Sequence, residues 1–172
     1  FIKNRYITER YRPVYTNSDA KNSIDKTSDV AILMRGQVVK VNEFTKNSLK
    51  MYRLNYPNAP IFLSTWDSCI DKNFRLFAEK YNIELIASKF EKPKTGYRND
   101  NLQIFVNVKG LQEITKRNIR YSFTTRTDQR FYNNNLLMYL KNIHSNYPYL
   151  NPENPQDKQI ERLLAMSFDT FM

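Results

Sequence analysis

A chain of 172 residues with 41% hydrophobic and 14% aromatic content is long enough for one domain with a true core, and its composition lies far from that of disordered proteins. Three glycines, one cysteine and one histidine exclude more: no Walker A loop or dinucleotide fingerprint can be written, no intrachain disulfide can close, and no Cys-rich or His-rich zinc site can form. The net charge of +10 favours an anionic partner, yet the lysines and arginines are scattered and form no basic run.

The chain opens on Phe1 and closes on Met172, directly after the apolar run "LLAMSF", which reads as a piece of a longer protein. Residues 1–28 carry no clear period and read as an N-terminal extension, with a short helix in "RYITERYRPVY" ending before Pro13. "DVAILMRG" is an apolar run of strand length, the pattern of a buried parallel strand. "NEFTKNSLKMYRLNYP" follows with helical spacing at Phe44, Leu49, Tyr52 and Tyr56, and Asn42 or Thr45 is placed to cap it. "APIFLSTW" predicts a second strand, "DKNFRLFAEKYN" a helix and "IELIAS" a third strand.

"KFEKPKTGYRND" is rich in turn residues. "NLQIFVNVKGLQEITKR" has high β-branched content, but its length favours a helix. "NIRYSFTT" predicts a fourth strand and "NNNLLMYLKNIHSNYP" a helix ended by Pro148. "IERLLAMSF" reads as a fifth strand, with a helix as the alternative. Strands and helices therefore alternate from residue 30 to residue 145. That alternation predicts an α/β fold with a mostly parallel sheet and helices on both faces, spanning residues 29–172. No apolar run approaches the ~20 residues needed to cross a bilayer, and a lone cysteine suits a reducing, cytoplasmic setting.

Parallel strands joined by right-handed crossovers send all their C-terminal ends to one edge, where ligands of such sheets bind. The segments leaving the strands are therefore the candidate site. In "RGQ", Gly36 either lets a flat ligand approach the backbone or merely turns the chain. In "STWDS", Asp67 can accept from ribose hydroxyls while Ser64, Thr65 and Trp66 line a base; the plainer alternative is that Asp67 or Ser68 caps the next helix and Trp66 belongs to the core. In "TGYRNDN", a helix N-terminus with Arg98 suits a phosphate, while Asn99 or Asp100 can simply cap the helix, and both can hold together. In "RTDQR", Asp128 can bind a divalent ion or a sugar hydroxyl, and Arg126 and Arg130 can carry diphosphate charge; a surface turn with local ion pairs is the alternative.

The segments "DVAILMRGQV", "NYPNAPIFLSTW", "YRNDNLQIFVNVKGL" and "YSFTTRTDQRFYN" together resemble the WavE-type lipopolysaccharide-synthesis family, bacterial glycosyltransferases of the GT-A kind. The resemblance spans residue 29 to about residue 170, and its specific part is the order and spacing of "STW" and "RTD". It implies a nucleotide-sugar donor and a glycan or lipid-linked glycan acceptor. It also implies work in the cytoplasm, with peripheral association at the cytoplasmic face of the inner membrane. Carried over by position, it sets Gly36 and Gln37 near the base, Thr65 and Asp67 near base or ribose, and Arg98 and Asn99 near the diphosphate or sugar. Asp128 would take the last position of an Asp-x-Asp element whose first position here is Arg126. One carboxylate is a weak Mg²⁺ or Mn²⁺ site. Arg126 can supply positive charge in the ion's place, so metal-dependent and metal-independent mechanisms both stand open. Asp169 is the last carboxylate available as a general base, and the resemblance implies an acceptor half that begins at "SFDTFM" and continues past Met172. Two other classes compete: a basic nucleic-acid-binding module, which the scattered charge disfavours, and a non-catalytic α/β assembly domain.

Overall fold

The computed structural model describes residues 26–89, 100–147 and 163–164. Four strands, β1 (Val30–Arg35), β2 (Ile61–Trp66), β3 (Ile83–Ser88) and β4 (Tyr121–Arg126), alternate with four helices, α1 (Phe44–Asn55), α2 (Lys72–Lys80), α3 (Asp100–Lys116) and α4 (Leu136–Asn146). The strands form one sheet in the order β3-β2-β1-β4, and every pairing is parallel. This is the predicted α/β class. The expected N-terminal helix and all of the expected fifth strand except Leu163 and Leu164 lie outside the described residues, and those two leucines belong to no helix or strand.

Position in the sheet explains the strand sequences. β1 and β2 are central and covered on both faces, so "VAIL" and "IFL" are apolar at successive positions and buried throughout. β4 lies at an edge, and its "YSFTTR" mixes polar with apolar residues. On one face, Ile32, Met34, Ile61 and Leu63 pack with Leu49 and Tyr52 of α1, Phe74 and Ala78 of α2, and Leu136 and Leu137 of α4. On the other, Ala31, Leu33 and Phe62 pack with Ile114 of α3. The chain steps outward from β1 through β2 to β3, then returns past them to β4. Right-handed crossovers in opposite directions put α1 and α2 on one face and α3 on the other.

α3 comes very close to the sheet. A Cβ on Gly110 would stand 2.4 Å from Leu33 Cδ1, so the glycine lets helix and β1 touch. Ser64 Oγ donates to Val106 O at 2.6 Å and fixes the helix to β2. Ile104 and Val108 project outward at 59% and 44% exposure, so the apolar content of α3 is divided between its two sides.

The helix starts differ from expectation. α1 has no side-chain cap; Asn42 and Glu43 before it take left-handed φ of 50° and 51°. Thr45, expected as a cap, is fully buried and accepts from Val39 N at 2.9 Å. The cap of α2 is Asp71, which accepts from Phe74 N at 2.7 Å, rather than Asp67 or Ser68. Between α1 and β2, Arg53 acts as a clasp. Its guanidinium donates to Tyr81 O and Asn82 O after α2, and to Pro57 O and Ala59 O before β2, at 2.7–2.9 Å.

Candidate functional site

The strand order reverses at β1: its successor β2 lies on one side and β4 on the other. At such a switch point the loops leaving neighbouring strands part and leave a crevice. Here a cleft of about 350 Å³ opens between the ends of β1 and β4 and the first turns of α3. Arg35, Gly36 and Gln37 line it from β1, Arg126, Thr127 and Asp128 from β4, Trp66 from β2, and Gln103 and Val106 from α3. A more open groove of about 560 Å³ runs along the later turns of α3 and is lined by Val108, Leu111, Gln112, Thr115 and Lys116. Among the described residues it meets no strand end and gathers one charge, so the smaller cleft is the better equipped of the two.

The floor of the cleft is built by backbone. Gly36 has φ +118°, a conformation that side-chain-bearing residues rarely adopt, and a Cβ there would meet Thr127 Oγ1 at 3.0 Å. The glycine turns the chain here, and a side chain in its place would crowd Thr127. Thr127 ties the two loops together. Its N–H donates to Arg35 O at 3.0 Å and its hydroxyl to Gln37 O at 2.6 Å, while its carbonyl accepts from Thr45 Oγ1 at 3.1 Å.

The walls carry the charge. Arg35 and Arg126 are register partners on adjacent parallel strands, so their side chains leave the same face. Arg126 closes a two-point contact on Asp128, Nε to Oδ1 at 2.8 Å and Nη2 to Oδ2 at 2.6 Å. The hydrogen bonds from Arg126 hold the Asp128 carboxyl below the usual carboxylate range. The same bond raises the Arg126 value. Arg35 stands otherwise: its Nη1 reaches Gln103 Oε1 only at 3.4 Å, and its buried Nε has no hydrogen-bond partner among the described residues. Burial, with the neighbouring Arg126 charge behind it, lowers its value from that of a free arginine. Beside the cleft, Trp66 and Phe105 stack with centroids 5.9 Å apart and planes 8° from parallel.

Of the sequence candidates, Gly36, Gln37, Trp66, Arg126 and Asp128 come together in the cleft. Three others stand elsewhere. Thr65 is fully buried in β2, and strand alternation turns it to the face of Leu63, away from α3. Asp67 sits exposed on the turn after β2, accepts from Ser68 N at 2.8 Å and does not line the cleft. Arg130 binds the start of α1: it lies 4.4 Å over the Phe44 ring and donates to Phe44 O and Ser48 Oγ. Arg98, Asn99 and Asp169 lie outside the described residues.

Arg35, Gln103 and Thr127 are the additions that sequence reasoning missed. Arg35 had a signal, a charge closing an otherwise apolar buried strand. Gln103 and Thr127 had none, because their roles depend on contacts between segments remote in sequence.

The donor set among the described residues does not fit a divalent cation. Among them Asp128 is the one carboxylate lining the cleft, and both its oxygens are engaged by Arg126. No group of three or more His, Cys, Asp or Glu side chains comes together among the described residues. Nor, among those residues, is any helix long and apolar enough to cross a membrane. No protein-family model, curated protein or solved structure matches this chain.

Proposed function

We propose that this chain is the donor-binding portion of a nucleotide-sugar-dependent glycosyltransferase of bacterial surface-polysaccharide assembly, working at the cytoplasmic face of the inner membrane. The observation that carries the reading is the pair of arginines, Arg35 and Arg126, side by side at the switch point of a parallel sheet, where the chain turns at Gly36. The likeness of "STW" and "RTD" to the WavE-type family supports the transferase reading.

In this reading the nucleoside diphosphate lies along the ends of β1 and β4, and Gly36 and Gln37 approach the base. When the bond between sugar and diphosphate breaks, negative charge grows on the departing phosphate. Guanidinium groups at the cleft wall lower the energy of that charge, the service a metal ion performs elsewhere. In the ligand-free cleft both Asp128 oxygens are held by Arg126, so the arginines rather than a metal carry the charge stabilisation. The acceptor, a glycan or lipid-linked glycan, needs a general base. Asp169 remains the candidate for that role.

A ligand that binds only the folded state at one hundred times its Kd stabilises it by about 2.7 kcal/mol. Uridine, guanosine, cytidine and thymidine sugar nucleotides are therefore expected to include at least one that raises the melting temperature in a saturable way. Failure of all of them at millimolar concentration contradicts the proposal.

A further inference from the structure

We propose that Arg35 is the primary receptor for the diphosphate group in this cleft, and that Asp128 is an internal competitor holding the Arg126 fork until the anion displaces it. The inference deepens the donor-binding reading and rests on it for the identity of the ligand.

Two guanidinium groups at paired register face one carboxylate, and no other charged side chain among the described residues lines the cleft. Among those residues the local balance is one positive charge in excess. Asp128 serves the two arginines unequally. It satisfies Arg126 at two points, and its bonds are short. Arg35 donates one long contact to the neutral amide oxygen of Gln103, and a buried N–H of its fork goes unmatched. A buried cationic donor without an acceptor is costly, so its retention at a cleft wall points to an anion that completes it. A tetrahedral phosphate offers several oxygens and can bridge two forks side by side; a planar carboxylate satisfies one. The first phosphate docks on Arg35. The second reaches the Arg126 fork only as Asp128 gives it up. Asp128 and the ligand are thus alternatives for the same donors, and removing the carboxylate makes the site more receptive.

Inorganic pyrophosphate isolates this chemistry from base and sugar. Calorimetric titration in the presence of a chelator is expected to show saturable binding that Arg35→Gln weakens at least tenfold. Arg35→Lys, which keeps the charge but not the fork, weakens it by a lesser but clear factor. Asp128→Asn tightens binding several-fold, and that gain disappears in the Arg126→Gln background, since the competitor acts only through Arg126. A gain that persists without Arg126 overturns the competitor role and leaves only a general charge effect. Melting of the ligand-free Arg35→Gln protein separates ligand from scaffold: Arg35 makes little of its own, so the midpoint is expected to stay level or rise, and a marked fall assigns Arg35 to stability instead. Unchanged pyrophosphate affinity in both Arg35 variants overturns the receptor role. If sugar nucleotides bind equally well to Arg35→Gln, the donor reading survives and this inference falls. If pyrophosphate binds through Arg35 but no sugar nucleotide does, the receptor stands and the donor reading falls.

Discussion

At the scale of single residues, the Asp128–Arg126 pair predicts an acid response. The carboxyl is held below its ordinary value in the folded state. Its contribution is therefore present above the unfolded value, near pH 4, and disappears as pH falls through the folded value. Both side chains are about half exposed, at 45% and 44%, so the effect is small. Melting curves between pH 6 and about pH 2 are expected to show a shallower acid decline in Asp128→Asn than in the parent. Tyr52 works on the opposite limb. Burial raises its value, and its hydroxyl accepts from Phe131 N at 3.0 Å. Its contribution is present below pH ~10 and is lost as pH rises through the raised value. Tyr52→Phe is expected to cost about 1 kcal/mol at neutral pH and to flatten the alkaline decline, both measurable by denaturant titration. Gly36→Ala forces a side chain into φ +118° and against Thr127. It should cost about 1–3 kcal/mol and weaken pyrophosphate binding together with stability, whereas Arg35→Gln separates the two.

At the scale of elements, the packing of α3 on β1 is the contact most sensitive to a single methyl. Gly110→Ala gains about 1 kcal/mol of helix propensity. It also drives a Cβ to 2.4 Å from a Leu33 methyl that has no room to retreat, since Leu33 is fully buried. Overpacking of this kind costs about 1–3 kcal/mol, so net destabilisation is expected in urea melts. A further distinction follows at the clasp between α1 and β3. Arg53→Lys keeps the charge but cannot reach carbonyls on both sides of it, and an expected loss of about 2 kcal/mol separates geometry from charge there. These elements were largely legible. Unbroken apolar runs marked β1 and β2 because both faces of a central parallel strand are covered, and length correctly favoured a helix for α3 over its β-branched content. Caps were less legible. Asp67, Ser68 and Asp71 are all competent, and which one caps α2 depends on the short turn over Asp67–Cys69 that follows β2.

At the scale of the whole molecule, strand–helix alternation made a parallel sheet readable, but not the order β3-β2-β1-β4. That order decides the site, because it sets β4 beside β1 and so Arg126 beside Arg35. Pairing between segments some ninety residues apart leaves no local mark, and the same reason hid Thr127. It also explains the partial success of the site residues. Those next to the switch point, Gly36, Gln37, Arg126 and Asp128, converge with Trp66, while Thr65, Asp67 and Arg130 point to other faces. The charge of +10 is spread over the chain and enters the account only through its local excess at the cleft. A diphosphate meeting two arginines gives a shallow salt dependence, unlike the steep counterion-release slope of a nucleic-acid binder. The most direct test of the central claim is backbone amide shift mapping with uridine, guanosine and thymidine diphosphates. The account predicts that at least one perturbs Gly36, Gln37, Gln103 and Thr127 most strongly. Perturbation confined to Val108, Leu111 and Thr115 on the outer groove of α3, or none with any of the three, would contradict it.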